Sequence, residues 1–128
     1  MTLTELAVLA AAGYFFVFGA GFVFKPELVE RFALRWTDPA GKTEVRCYYG
    51  AVSWALAGFL VYLLTEDLAT AALTGVLFLA TGVFTVRLIG TIVDSGSLRG
   101  PDAHPYTRMA LPVEAAFVVA VALVRFLA

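Results

Sequence analysis

Two ionisable residues stand inside runs that are otherwise oily enough to cross a bilayer. Arg87 lies in LATGVFTVRLIGTIVD (residues 79–94), and Glu114 lies in MALPVEAAFVV (residues 109–119). A guanidinium and a carboxylate in hydrocarbon can neutralise each other, or together hold a ligand or relay a proton. Glu114 could act as acid or base, and Arg87 could hold an anionic head group. Arg46, Tyr49 and Ser53 form a second polar set at i, i+3, i+7 spacing, which is one helical face. Glu44 and Tyr48 share another face, and Asp94 shares one with Arg87 and Thr91.

The elements that must position these residues follow from composition. The chain has 128 residues, 61% hydrophobic and 15% charged, with mean hydropathy +0.87. Ordinary soluble domains have about 45–50% apolar and about 25% charged residues. A soluble chain this short could not bury the excess, so lipid is its natural solvent. The net charge of −1 gives no reason to expect nucleic acid, and no dense basic tract is present. The expected fold is all-α: one domain over residues 1–128, an integral membrane four-helix bundle. A short interfacial amphipathic helix is expected between helices 1 and 2.

The first span covers about Thr4–Phe24. Thr2 and Glu5 have capping-box spacing, and Leu6–Phe24 carries no charge. Gly13, Gly19 and Gly21 offer close approach to a neighbour. The N-terminus lacks the positive region of a signal peptide, so this run reads as a retained helix. In residues 26–36, Leu28, Val29, Phe32 and Trp36 fall on one side and Glu27, Glu30, Arg31 and Arg35 on the other. That pattern predicts a helix lying at head-group level with Trp36 as anchor. Asp38 and Pro39 open the second span, which runs from Pro39 or Thr43 to Leu64. In its first turns, Arg46 and the tyrosines read as interfacial snorkelling. The other reading makes Arg46–Tyr49–Ser53 one wall of a polar pocket.

Thr65-Glu66-Asp67 is a short turn that makes the second and third spans antiparallel neighbours. The third span covers about Asp67–Val93, with Ala71, Gly75 and Gly82 as packing marks. Residues 94–106, DSGSLRGPDAHPY, read as a polar loop. The fourth span covers about Thr107–Leu127 and contains Pro112, which removes one helix bond and predicts a kink just before Glu114.

Four spans place Lys25, Arg31, Arg35, Lys42, Arg46, Arg99 and Arg108 on one side and only Arg125 on the other. The positive-inside rule makes loops 1–2 and 3–4 cytoplasmic and sends both termini outside, in the inner (cytoplasmic) membrane. Arg87 precedes Asp94 by seven residues, and Glu114 follows Thr107 by seven. Both therefore sit about 10 Å along their helices from the cytoplasmic end. Antiparallel neighbours would bring them level, with Tyr49, Arg46 or Asp94 as further partners. Such a pair would either fix helix packing or form a site open to the cytoplasmic leaflet.

Several simpler chemistries are set aside. Gly41-Lys42-Thr43 resembles the end of a phosphate loop, but Trp36 stands where the first glycine is required. Cys47 is the only cysteine and His104 the only histidine, so neither a thiolate cluster nor a bis-histidine haem site can form within the chain. No metal or cofactor is expected, and no complete catalytic set is present.

TEVRCYYGA in helix 2, VRLIGTIVDSG at the end of helix 3 and PVEAA in helix 4 resemble a bacterial family of four-helix membrane proteins of unknown function. That family is distantly similar to the DoxX-like proteins. The resemblance covers about Gly13 to Val124 and singles out Glu44, Arg46, Tyr49, Gly50, Arg87, Asp94, Gly96 and Glu114. DoxX-like relatives include subunits of membrane oxidoreductase assemblies, which implies an accessory role. The expected function is thus an accessory or structural membrane subunit. The alternative is a binding protein or enzyme for a quinone, isoprenoid or lipid, and transport is a third. Expected partners are membrane lipids, and a larger membrane complex or a second copy of the chain.

Overall fold

The computed structural model describes residues 1–95 and 105–128, and every described regular element is helical. Arg99 and His104, together with Gly96, lie outside the described residues. The chain divides into two compact units, Met1–Ala72 and Leu73–Ala128. Four helical stretches are long and apolar enough to cross a membrane: Leu3–Phe24, Pro39–Thr65, Ala69–Asp94 and Arg108–Leu127.

The first helix, α1, runs Leu3–Phe24. Thr2 Oγ1 accepts from Glu5 N at 3.2 Å, and Thr2 N donates to Glu5 Oε2 at 2.6 Å, which closes the capping box. The helix ends where Lys25 N donates to Gly21 O and Pro26 follows. Its covered face carries Val8, Ala12, Gly19 and Phe22, with Phe15 half-buried between them. Those alternating steps of four and three residues are the stripe that a nearly parallel or antiparallel helix partner fills.

The partner is the stretch Pro39–Thr65. It comprises α2 (Pro39–Val45), a π-helical segment (Arg46–Ala51) and α3 (Val52–Thr65). Asp38 caps it, accepting from Ala40 N at 2.7 Å, with Pro39 in the first turn. Gly50, Ser53, Ala57 and Leu60 form its buried stripe. The π-helical segment and α3 pack on α1, antiparallel, with Gly19 against Gly50.

Between them, the amphipathic segment departs from the expected helix to Trp36. It is a 3₁₀ helix over Pro26–Phe32, stopped by Ala33 in the left-handed conformation at φ 59°. The sidedness survives the tighter winding: Val29 is fully buried, while Glu27, Glu30 and Arg31 are exposed. Glu27 Oε1 meets Lys42 Nζ at 2.9 Å, and that ammonium lies 5.8 Å from the Trp36 ring centroid.

A backbone hydrogen bond at Glu27 and then the Lys42 contact lower the Glu27 pKa below its ordinary 4.5. A lowered carboxylate pKa stabilises the fold above the ordinary value and loses that contribution as pH falls through the lowered one. The advantage of wild type over Glu27→Gln should therefore shrink as pH drops below 4.5. Both side chains are more than a third exposed, so the effect is small. Unfolding midpoints of the two proteins across the acid range check it. A gap that widens with acid would contradict the sign.

The turn at Thr65–Asp67 places Asp67 at φ 59°, and Leu68 N donates back to Leu63 O at 2.9 Å. The next helix, α4, runs Ala69–Gly90 and continues as a π-helical segment, Thr91–Ser95. The last, α5, runs Pro105–Leu127 with Pro112 inside it.

Candidate functional site

Arg87 lies in the last turn of α4, and Glu114 lies two residues after Pro112 in α5. Arg87 Nε donates to Glu114 Oε1 at 2.8 Å and to Oε2 at 2.9 Å. The two side chains are 29% and 23% exposed, so the contact is partly shielded rather than solvated. The Tyr106 ring lies under the guanidinium, with its centroid 5.2 Å from Arg87 Cζ. Tyr106, buried Ala110 and Glu114 follow at i, i+4, i+8, one stripe of α5. Thr91 Oγ1 donates to the Arg87 carbonyl at 2.7 Å, where α4 passes into its π-helical turn.

A second polar contact joins the same two helices. Arg125 Nε donates to Thr74 Oγ1 at 2.6 Å, and the Arg125 guanidinium lies 5.3 Å from the Phe126 ring centroid. Thirteen residues separate Thr74 from Arg87 and eleven separate Glu114 from Arg125. Those intervals correspond to about 20 Å and about 17 Å of helix, so α4 and α5 run antiparallel with a polar tie toward each end.

The remaining sequence-derived positions have contacts of their own within their units. Arg46 is exposed, and its Nε donates to the Val23 carbonyl at 3.1 Å, in the last turn of α1. Tyr49 is half-buried against the rings of Phe22 and Phe32, at centroid distances of 5.3 and 6.3 Å. Buried Ser53 donates to the Tyr49 carbonyl at 2.8 Å, so its hydroxyl serves its own helix. Arg46, Tyr49 and Ser53 thus belong to a seam within the first unit that closes on aromatic rings and backbone oxygens. Glu44 is exposed on α2. Asp94 is exposed, and its carboxylate folds back toward Gly90. The described partners of Arg87 are Glu114 and Tyr106.

Sequence reasoning passed over Tyr106 and the Thr74–Arg125 bond. The eight-residue spacing of Tyr106 from Glu114 was the available signal for the first. Among the described residues, no three His, Cys, Asp or Glu side chains gather as metal ligands would.

Phe78, Leu79, Gly82, Val83 and Val86 lie along one face of α4 that ends at Arg87. No family model, no curated protein and no solved structure matches this chain.

Proposed function

We propose that this chain is a multi-pass protein of the cytoplasmic membrane that serves as an accessory or structural subunit of a larger membrane assembly. The observation that carries the reading is the Arg87–Glu114 contact. Both oxygens of Glu114 are engaged by one guanidinium nitrogen, so the carboxylate is committed to joining α4 and α5. A carboxylate with both oxygens facing one guanidinium is occupied as a helix-to-helix contact. The wide outward display of Phe, Val, Leu and Ile side chains suits lipid or another apolar surface and is unfavourable in water. The basic residues around the first loop, Lys25, Arg31, Arg35 and Arg46, are exposed there and orient that loop toward the cytoplasm. The accessory role implied by the resemblance to DoxX-like proteins points the same way.

The test is isolation from native membranes in mild detergent after brief crosslinking. The subunit reading expects the chain to migrate in a larger species that contains other membrane proteins in fixed ratio. Recovery as a lone species, with and without crosslinking, would count against it.

A further inference from the structure

We infer that one face of the Pro26–Phe32 segment, the row Lys25–Leu28–Arg31, binds the head group of an anionic phospholipid. The inference rests on the reading that the first loop lies at a membrane surface, and it names the lipid class that this loop selects.

In sequence the stretch KPELVER is neutral, with Lys25 and Arg31 against Glu27 and Glu30. The winding sorts those charges. A 3₁₀ helix has three residues per turn, so side chains three apart eclipse. Lys25 opens the winding, because its carbonyl accepts from Leu28 N at 3.0 Å. Three rows result. Pro26, Val29 and Phe32 form the covered row, in which Pro26 and Val29 are fully buried. Glu27 and Glu30 form an acidic row. Lys25, Leu28 and Arg31 form the third. In an α-helix the interval from Lys25 to Arg31 would leave the two cations about a third of a turn apart.

The acidic row is answered inside the first unit. Glu27 Oε1 meets Lys42 Nζ at 2.9 Å, and the Arg46 charge acts on the same carboxylate. The cationic row has no such answer. Lys25 and Arg31 are exposed, and neither is ion-paired among the described residues.

The height of the row is set by α1. Leu28 Cδ1 lies 3.4 Å from the place a Cβ on Gly21 would take, so the row rests beside the last turn of that helix. Phe24, in the same turn, is 75% exposed. An exposed phenylalanine followed by an exposed lysine marks the level where acyl chains give way to phosphates. A phospholipid phosphate reaches that level, and a soluble acidic peptide does not. Phosphatidylcholine carries its own ammonium, which would meet the row with like charge. Phosphatidylglycerol carries an unopposed phosphate that two cations can hold.

The experiment places the full chain in phosphatidylcholine nanodiscs with a minor share of phosphatidylglycerol bearing a diazirine on its head group. Labelling should concentrate on residues 24–31. Unlabelled phosphatidylglycerol in the nanodisc should compete, and further phosphatidylcholine should not. Lys25→Gln/Arg31→Gln should cut labelling by about tenfold. The swap Glu30→Arg/Arg31→Glu keeps the net charge of the loop but moves one cation into the acidic row, so it should lose labelling several-fold as well. Both variants change exposed side chains, and unaltered helical ellipticity shows that each remains folded. Labelling that survives the double glutamine variant, or is unchanged by the swap, overturns the proposal. So does displacement of the probe by inorganic phosphate, which would make the ligand a soluble anion. Those results leave the membrane reading intact, whereas a chain that does not enter nanodiscs at all would refute that reading and this proposal with it.

Discussion

Glu114→Leu is expected to lose about 2–3 kcal/mol of stability, and Glu114→Leu/Arg87→Leu is expected to lose less than either Glu114→Leu or Arg87→Leu alone. The single variant leaves a guanidinium in a partly shielded site without its carboxylate, which is the costly half of breaking an ion pair. An Arg near a helix centre costs about 2.5–3.5 kcal/mol on insertion scales, and Arg87 is shallower, which lowers the figure. The unfolded chain in lipid also finds alternative partners for its polar groups, which lowers it further. The double variant leaves no charge behind. It retains the Thr74–Arg125 tie and the buried apolar residues Leu73, Val76, Leu111 and Val121. Reversible unfolding in mixed micelles, followed by helical ellipticity, measures all three proteins. If the double variant proves no better than the sum of the two singles, the contact is not acting as a coupled pair.

That prediction rests on the part of the site legible in sequence. Arg87 and Glu114 each stand seven residues from a polar boundary, and antiparallel helices convert equal depth into proximity. The helix starts were legible for the same local reason. Thr2 with Glu5, and Asp38 with Pro39, are caps whose chemistry is complete within four residues.

What escaped depends on register between distant segments or on subtle winding. Arg125 is a terminal charge until Thr74, 51 residues away, is known to lie beside it. The 3₁₀ winding of Pro26–Phe32 escaped because steps of three and four residues give the same sidedness over so short a run. The π-helical turns at Arg46–Ala51 and Thr91–Ser95 change the winding without demanding any particular residue. The glycines of α1 illustrate the register problem most sharply. Gly13, Gly19 and Gly21 look equivalent in sequence, yet a Cβ on Gly13 would meet nothing within 4 Å. A Cβ on Gly21 would only graze Leu28 Cδ1 at 3.4 Å, and one on Gly19 would collide with two groups.

That collision makes Gly19→Ala the second large expected loss, about 2–3 kcal/mol by the usual cost of overpacking. The added Cβ would sit 2.6 Å from Trp54 Cδ1 and 2.8 Å from the Gly50 carbonyl oxygen. Neither obstacle yields easily. The Trp54 indole is tethered, with Nε1 donating to the Phe16 carbonyl at 3.0 Å, so swinging the ring away breaks that bond. The Gly50 oxygen is backbone, and moving it shifts the π-helical segment whose Arg46 holds the end of α1. Gly50→Ala meets Val23 Cγ2 at 2.6 Å, the tip of a side chain with few rotamers, and should also destabilise. Gly13→Ala and Gly58→Ala supply the contrast, because neither new methyl group touches anything within 4 Å. Each should gain up to about 0.5–1 kcal/mol from the better helix propensity of alanine. Trp54 sits at the crossing, so its fluorescence reports directly on whether the contact has opened. Opposite signs for Gly13→Ala and Gly19→Ala in one helix can arise only if the second residue is pressed against a neighbour. A Gly19→Ala protein as stable as wild type would mean that α1 and α3 do not meet at this register.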